Sequence, residues 1–102
     1  MYLSLIVAGE LLYGFRNGAK FLRNVRDLDE FLARPTVSVV PVTMATADRY
    51  SRIFAALRAK GTPIPTNDVW IAAQAIEAGA ELITFDAHFA VVDGLSWTSP
   101  EE

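Results

Sequence analysis

The spacing of apolar residues at the start of the chain predicts two helices and two short strands. The residues before Ser4 are typical of the end of a strand, and Ser4 is a suitable N-cap for a helix that runs to about Gly14. Over residues 19–33 the apolar side chains keep the spacing of one helical face. They are Phe21, Val25, Leu28 and Leu32. The β-branched run at 37–40 predicts the second strand.

Helical spacing returns after Pro41 and continues through Lys60, and Gly61 is a suitable residue to end that helix. The segment 62–65 contains two prolines, which predict a stiff and extended connection. A third helix of the chain is therefore expected to end before this connection.

The rest of the chain predicts one more helix and two more strands. We expect Thr66 or Asn67 to be the N-cap of a helix that ends near Ala78. The run 82–84 predicts a buried strand, and 95–98 predicts a further short strand. Strands that alternate with helices at these lengths are typical of an α/β fold with parallel pairing and right-handed crossovers.

The composition favours a single domain over residues 1–102. Of the 102 residues 52% are hydrophobic, which excludes a disordered chain. A domain of this size buries only about two-thirds of the surface that its unfolded chain exposes. So much apolar surface in so short a chain predicts an oligomer or a bound partner.

Charge and cysteine content narrow the function classes. The formal net charge is −3, so a contact with nucleic acid needs a local basic face or bound cations. The absence of cysteine excludes disulfides and thiol catalysis and fits a cytoplasmic location. The apolar run from Met1 to Tyr13 is shorter than a membrane span and contains Glu10, so we interpret it as core and expect no membrane association.

Glu10 is the most informative charged residue. Between Met1 and Tyr13 only Ser4 and Glu10 are polar, so the predicted helix is apolar on nearly every face and is expected to be largely buried. A buried carboxylate needs a cation, a hydrogen-bond partner or a proton. The alternative is that Glu10 lies on a thin solvent-facing stripe of a surface helix, and the composition leaves both interpretations open.

Two further carboxylates lie where α/β folds bind ligands. Asp68 falls in the first turn of a predicted helix, and Asp86 follows the carboxyl end of a predicted strand. Each has a structural alternative. The helix dipole favours an acidic residue at position 68, which explains Asp68 without a ligand. Asp86 is a suitable N-cap for a short turn. Helix N-termini and strand C-termini share one edge of an α/β sheet. With Glu10, these residues predict an oxygen-ligand site suited to Mg²⁺ or Mn²⁺.

His88 follows Asp86 closely in the sequence. A lone histidine near a strand end is more often a packing or hydrogen-bonding residue than a general base. The sequence therefore leaves His88 outside the predicted site.

Three segments resemble motifs of the PIN domain family. Residues 8–14 read A-G-E-L-L-Y-G and are similar to E-L-x-x-G. Residues 65–73 are similar to D-x-x-I-A-A, and residues 83–89 are similar to T-x-D-x-x-F. Each motif alone is weak. In this order and at these distances, the three resemble the VapC-type toxins of bacterial toxin–antitoxin pairs over essentially the whole chain.

The resemblance implies a Rossmann-like α/β fold of three layers with a short parallel sheet. It also implies an endoribonuclease that depends on Mg²⁺ or Mn²⁺ and cleaves RNA with metal-activated water. By motif position, Glu10, Asp68 and Asp86 would be the catalytic metal ligands, and Thr84 a supporting polar residue. A homodimer or higher oligomer and a cognate antitoxin are implied as partners.

The chain departs from the family pattern at its start. PIN domains normally begin with a strand that ends in an Asp, followed by a helix, and neither precedes the segment that begins here at Met1. We therefore expect an N-terminally truncated domain whose chains associate along the exposed sheet, with weak or single-metal occupancy and reduced activity. The alternative function is a catalytically impaired PIN remnant that serves as a dimerisation or antitoxin-binding module.

Overall fold

The computed structural model describes residues 1–100, and their contacts divide the chain into two compact units. The first unit is Met1–Pro41 and the second begins at Val42. Within the described residues, each unit combines two α-helices with one pair of parallel strands. The predicted α/β class and parallel pairing are therefore confirmed.

The first unit has its elements in the predicted order, which is strand, helix, helix and strand. Its elements are β1 (Tyr2–Ser4), α1 (Leu5–Arg16), α2 (Phe21–Leu32) and β2 (Ser38–Val40). In the parallel pair, Tyr2 lies opposite Ser38 and Ser4 lies opposite Val40. The predicted N-cap is confirmed, because the Ser4 hydroxyl oxygen accepts hydrogen bonds from the backbone N–H groups of the second and third residues after it, at 3.1 and 3.4 Å.

The α1 helix differs from its prediction at its end. It continues past Gly14 to Arg16, and Asn17 is its C-cap. The Asn17 N–H still donates to the carbonyl of Tyr13 at 3.2 Å, so the helical hydrogen-bond ladder carries on through Gly14. The prediction of Gly14 as the terminal residue is wrong.

The α1 helix is also more exposed than predicted. Ala8 is its one buried residue, whereas Glu10 is exposed and Tyr13 is 68% exposed. The prediction of a largely buried helix is wrong, because α1 packs on α2 and β1 and these cover only part of its surface. Glu10 therefore lies on the solvent-facing side of a surface helix, which is the second of the two interpretations that the sequence left open.

The second unit carries the longer helices. Its elements are α3 (Met44–Lys60), α4 (Thr66–Glu77), β3 (Leu82–Ile83), a short 3₁₀ helix (Ala87–Val91) and β4 (Trp97–Thr98). Leu82 lies opposite Trp97 in the parallel pair, and Ile83 lies opposite Thr98. Ile83 is 64% exposed, so the prediction of a buried strand at 82–84 is wrong. Two short paired strands leave one face of Ile83 uncovered.

The core of the second unit lies between α3 and α4. The α4 helix buries its small residues Ala72 and Ala73 together with Val69, and α3 buries Leu57. Small side chains let the two helices approach closely. Tyr50 of α3 stacks on Trp70 of α4, with ring centroids 4.0 Å apart. This packing fixes the helix whose first turn carries Asp68.

The start of α4 is shifted by one residue from its prediction. Pro65 precedes the first helical residue, and its carbonyl accepts hydrogen bonds from the N–H groups of Asp68 and Val69 at 3.0 and 3.2 Å. The predicted cap at Thr66 or Asn67 is wrong, because both residues already belong to the helix and no side chain caps it.

Among residues 1–100, none of the helices combines the length and the apolar character that crossing a bilayer requires.

Gly61 supplies a test of the helix end. It adopts a left-handed conformation with φ of 72°, and a Cβ there would meet nothing within 4 Å. Gly61→Ala is therefore expected to lower the free energy of unfolding by about 1 kcal/mol through backbone strain alone. Urea denaturation measures the change.

Gly9→Ala is the matched control. Gly9 lies inside α1, and a Cβ there also meets nothing within 4 Å. This substitution is expected to stabilise the protein by about 0.5–1 kcal/mol, since alanine favours the helix. A loss of stability of equal size in both variants would contradict the backbone explanation for Gly61.

Candidate metal centre

Three side chains of the second unit converge at the beginning of α4. Asp68, Asp86 and His88 each offer one ligand atom, and these atoms all lie within 4.8 Å of one another. Two of the three are residues that the sequence predicted. The third, His88, is a residue that sequence reasoning left out.

Asp68 is held by the packing of its helix. It lies in the first turn of α4, where the unpaired backbone N–H groups of a helix favour a negative charge. Its side chain is 19% exposed, so solvent reaches it only partly. The direction of this carboxylate is therefore set by a helix that is anchored in the core.

Asp86 is held by its own turn. The Thr84 hydroxyl oxygen accepts a hydrogen bond from the Asp86 N–H at 3.1 Å, and Asp86 Oδ1 accepts one from the His88 N–H at 3.2 Å. Asp86 thus caps the 3₁₀ helix, as its structural alternative proposed, and also joins the cluster. The supporting contact of Thr84 is with the backbone of Asp86.

The 3₁₀ helix is attached to the rest of its unit on two sides. Phe89 is buried, at 4% exposure. The ammonium of Lys60, in the last turn of α3, donates to the carbonyl of Val91 at 2.8 Å and lies 3.5 Å from the carboxylate of Asp93. These contacts hold the segment that presents Asp86 and His88.

His88 bridges the two carboxylates. Its Nε2 lies 2.6 Å from Asp68 Oδ2, and its Nδ1 lies 2.7 Å from Asp86 Oδ1. An ionised carboxylate only accepts hydrogen bonds, so a ring nitrogen that carries a hydrogen can donate to it. The ring thus links Asp68, at the beginning of α4, to Asp86 in the turn.

The signal for His88 in the sequence is its spacing from Asp86. A residue two positions after an N-cap donates its backbone N–H to the cap, which brings its side chain close to the capping carboxylate. The contact with Asp68 spans 20 residues, and local sequence carries no signal for it.

Glu10 belongs to the first unit. Glu10 is therefore not part of the cluster of Asp68, Asp86 and His88, which lies within the second unit. Its role as a metal ligand stays a prediction. Its side chain is exposed on α1.

The donor set fits a divalent cation. Two carboxylates match the charge of one such ion, and carboxylate oxygens are the ligands that Mg²⁺ and Mn²⁺ prefer. The imidazole of His88 adds a nitrogen donor, which first-row transition metals also bind. Asp68, Asp86 and His88 are the residues of the second unit that would hold the ion.

Residues 1–95 match the PIN domain family. No curated protein matches the chain at a significant level. The family assignment therefore comes from the domain match and from solved structures.

Several solved structures of VapBC toxin–antitoxin complexes contain a chain similar to this one. VapBC2 from Rickettsia felis, bound to a DNA fragment from its promoter, is 31% identical with a TM-score of 0.86, and the match covers 96% of this chain and 73% of that one. VapBC-1 from nontypeable Haemophilus influenzae is 27% identical with a TM-score of 0.87, and the match covers 97% of this chain and 73% of that one. VapBC-5 from Mycobacterium tuberculosis is 28% identical with a TM-score of 0.75, and the match covers 94% of this chain and 77% of that one.

The two roles of Asp86 can be separated by substitution. Asp86→Ala removes the acceptor for the His88 N–H and is expected to lower the free energy of unfolding by about 1 kcal/mol. Asp86→Asn keeps an oxygen that can accept this bond, so we expect a smaller loss. Urea denaturation of both variants without metal measures the difference. Equal losses would show that the charge of Asp86, and not its cap, holds the turn.

Proposed function

The chain belongs to the PIN domain family and is of the VapC type, and from this premise we propose that it is a metal-dependent endoribonuclease that acts as the toxin of a toxin–antitoxin pair. The observation that carries the proposal is the cluster of Asp68, Asp86 and His88. A family match alone gives a fold, whereas this cluster supplies the donors that the chemistry needs.

The proposed reaction is the cleavage of an RNA phosphodiester by water. A bound Mg²⁺ or Mn²⁺ would neutralise charge on the phosphate and make a water molecule easier to deprotonate. Asp68 and Asp86 would hold the ion, and Glu10 is proposed as the third catalytic carboxylate by its motif position. The net charge of −3 gives RNA no general attraction to the chain, so a local basic face or a bound cation has to supply it.

The protein's own contribution is to fix the carboxylates before the substrate arrives. The α4 helix holds Asp68, and the Thr84 hydroxyl holds the backbone of Asp86. Groups that are already oriented need no reorganisation during the reaction, which lowers the barrier. Thr84 is therefore a positioning residue in this proposal.

The partners are proposed from the similar structures and from the surface of α1. Those structures are VapBC complexes, which supports a cognate antitoxin as the inhibitor of this chain. Several apolar residues on α1 are exposed, and an apolar helix surface is suited to a protein interface, either with the antitoxin or in a homodimer. They are Leu5, Leu11, Leu12 and Tyr13. We also propose a cytoplasmic location, where RNA for the proposed reaction is present.

Substitution of the proposed ligands tests the enzyme. Asp68→Asn and Glu10→Gln are each expected to lower the rate of RNA cleavage at least about 100-fold, since changes even outside the ligand shell cost about 10–100-fold. The measurement is cleavage of end-labelled single-stranded RNA with Mn²⁺ by the purified chain. Asp48→Asn is the matched control, because Asp48 lies on α3 and pairs with Arg52 at 2.9 Å.

Cleavage that survives both ligand substitutions would identify a contaminating nuclease and overturn the proposal. A folded chain that cuts no RNA yet binds an antitoxin would instead support the alternative, an impaired PIN remnant that serves as a binding module.

Metal removal gives an independent test. A chelator is expected to abolish cleavage, because the carboxylates alone neither neutralise the phosphate nor activate water. Addition of excess Mg²⁺ or Mn²⁺ is expected to restore it. Full activity after chelation and dialysis would exclude the metal mechanism.

A further inference from the structure

We propose that His88 is itself a ligand of the bound ion, through Nε2, while Nδ1 remains with Asp86. This inference rests on the proposed function, since it extends the metal site on which that function depends. It adds a nitrogen ligand to a site that the motifs describe with carboxylates alone.

The Nδ1 side of the ring is held locally. Asp86 Oδ1 lies 2.7 Å from Nδ1 and also accepts the backbone N–H of His88 at 3.2 Å. Both contacts lie within three consecutive residues, so they persist as long as the turn does. This half of the ring is therefore the half that stays in place when an ion binds.

The Nε2 side faces a different element. Its contact, at 2.6 Å, is with Asp68 Oδ2 at the beginning of α4. A cation attracted to the Asp68 carboxylate would meet Nε2 next to that oxygen. The two donor atoms come from separate elements and already lie side by side, so a cation bound there would have both within reach.

The orientation of the ring suits this role. Metal-bound histidines almost always donate their second ring N–H to a carboxylate, a carbonyl or water, and here Asp86 Oδ1 is that carboxylate. The neighbouring Phe89 ring lies 5.1 Å away between centroids and is buried, which limits rotation of the imidazole. In this arrangement Asp68 and Nε2 bind the ion directly, and Asp86 holds the ion through the ring.

A nitrogen ligand changes which ions bind. Mg²⁺ prefers oxygen ligands and gives up its water reluctantly, whereas imidazole binds first-row transition metals well. We therefore expect the site to favour Mn²⁺ and Co²⁺ over Mg²⁺ because of His88.

The test uses Mn²⁺ as the probe on the untagged chain, with no RNA present. His88 is the only histidine in the sequence, so any imidazole nitrogen coupled to the Mn²⁺ electron spin belongs to it. Pulsed electron paramagnetic resonance is expected to show this coupling in the wild-type protein. His88→Gln, which has an amide in place of the ring, is expected to lose it.

Ion selectivity gives the second readout. Titration calorimetry with Co²⁺ and with Mg²⁺ is expected to show a ratio of affinities about tenfold smaller in His88→Gln than in the wild type. The matched control is Asp48→Asn, which leaves the cluster intact and is expected to keep the wild-type ratio.

Three outcomes would overturn the inference. They are no binding of Mn²⁺, binding without nitrogen coupling in the wild-type protein, and an equal loss of affinity for both ions in His88→Gln. The last would mean that the ring only holds the carboxylates together. Because the wild-type spectrum needs no variant, a failure of His88→Gln to fold leaves the test intact.

RNA cleavage is scored separately from ligation. Nitrogen coupling in a chain that cuts no RNA would overturn the proposed function and keep the ligand assignment. Metal-dependent cleavage without nitrogen coupling would overturn the ligand assignment and keep the proposed function.

Discussion

Two carboxylates from different elements share one small space, and the rest of the candidate site depends on how their repulsion is offset. Asp68 is only 19% exposed on its side chain, so water screens its charge incompletely. Two like charges a few ångströms apart repel each other, although water screens the charge of Asp86, whose side chain is 51% exposed. The imidazole of His88 lies between them, 2.6 Å from one carboxylate and 2.7 Å from the other. A divalent ion would offset the repulsion with its positive charge.

The α3 helix supplies no ligand, yet it holds both elements that do. Near its start, the buried Thr46 hydroxyl donates to Glu77 Oε1 at 2.6 Å, which ties α3 to the last turn of α4. At its end, Lys60 donates to the carbonyl of Val91 and so ties α3 to the 3₁₀ helix. The α3 helix is thus attached to α4 at one end and to the 3₁₀ helix at the other. These two attachments set the separation between Asp68 and the turn that carries Asp86.

The sequence predicted the parts of the site that depend on local rules. Asp68 was placed by the start of a helix and Asp86 by the end of a strand, and both rules hold because they rest on backbone geometry within a few residues. Gly61 was likewise predicted as a helix end, and its φ of 72° explains why. The α/β class and the parallel pairing followed from the order of these elements.

What the sequence could not predict depends on contacts between distant residues. Apolar spacing showed that α1 is hydrophobic but not what would cover it, and in the structure much of it is uncovered. The beginning of α4 moved by one residue because the Pro65 carbonyl already accepts the first helical hydrogen bonds, from the N–H groups of Asp68 and Val69, and no side chain caps the helix. His88 was missed because its ring meets Asp68 across 20 residues.

Asp86 shows why a structural and a functional interpretation of one residue need not compete. A carboxylate has about four lone-pair sites on two oxygens. Oδ1 accepts the His88 backbone N–H and faces its ring, and both contacts point along the turn that Asp86 itself begins. The second oxygen retains its lone pairs. A residue that caps a turn is thereby fixed in direction at no further entropic cost, and a carboxylate whose direction is already fixed orients a neighbouring ring or ion better. The cap is therefore part of the reason that this position can serve a metal site.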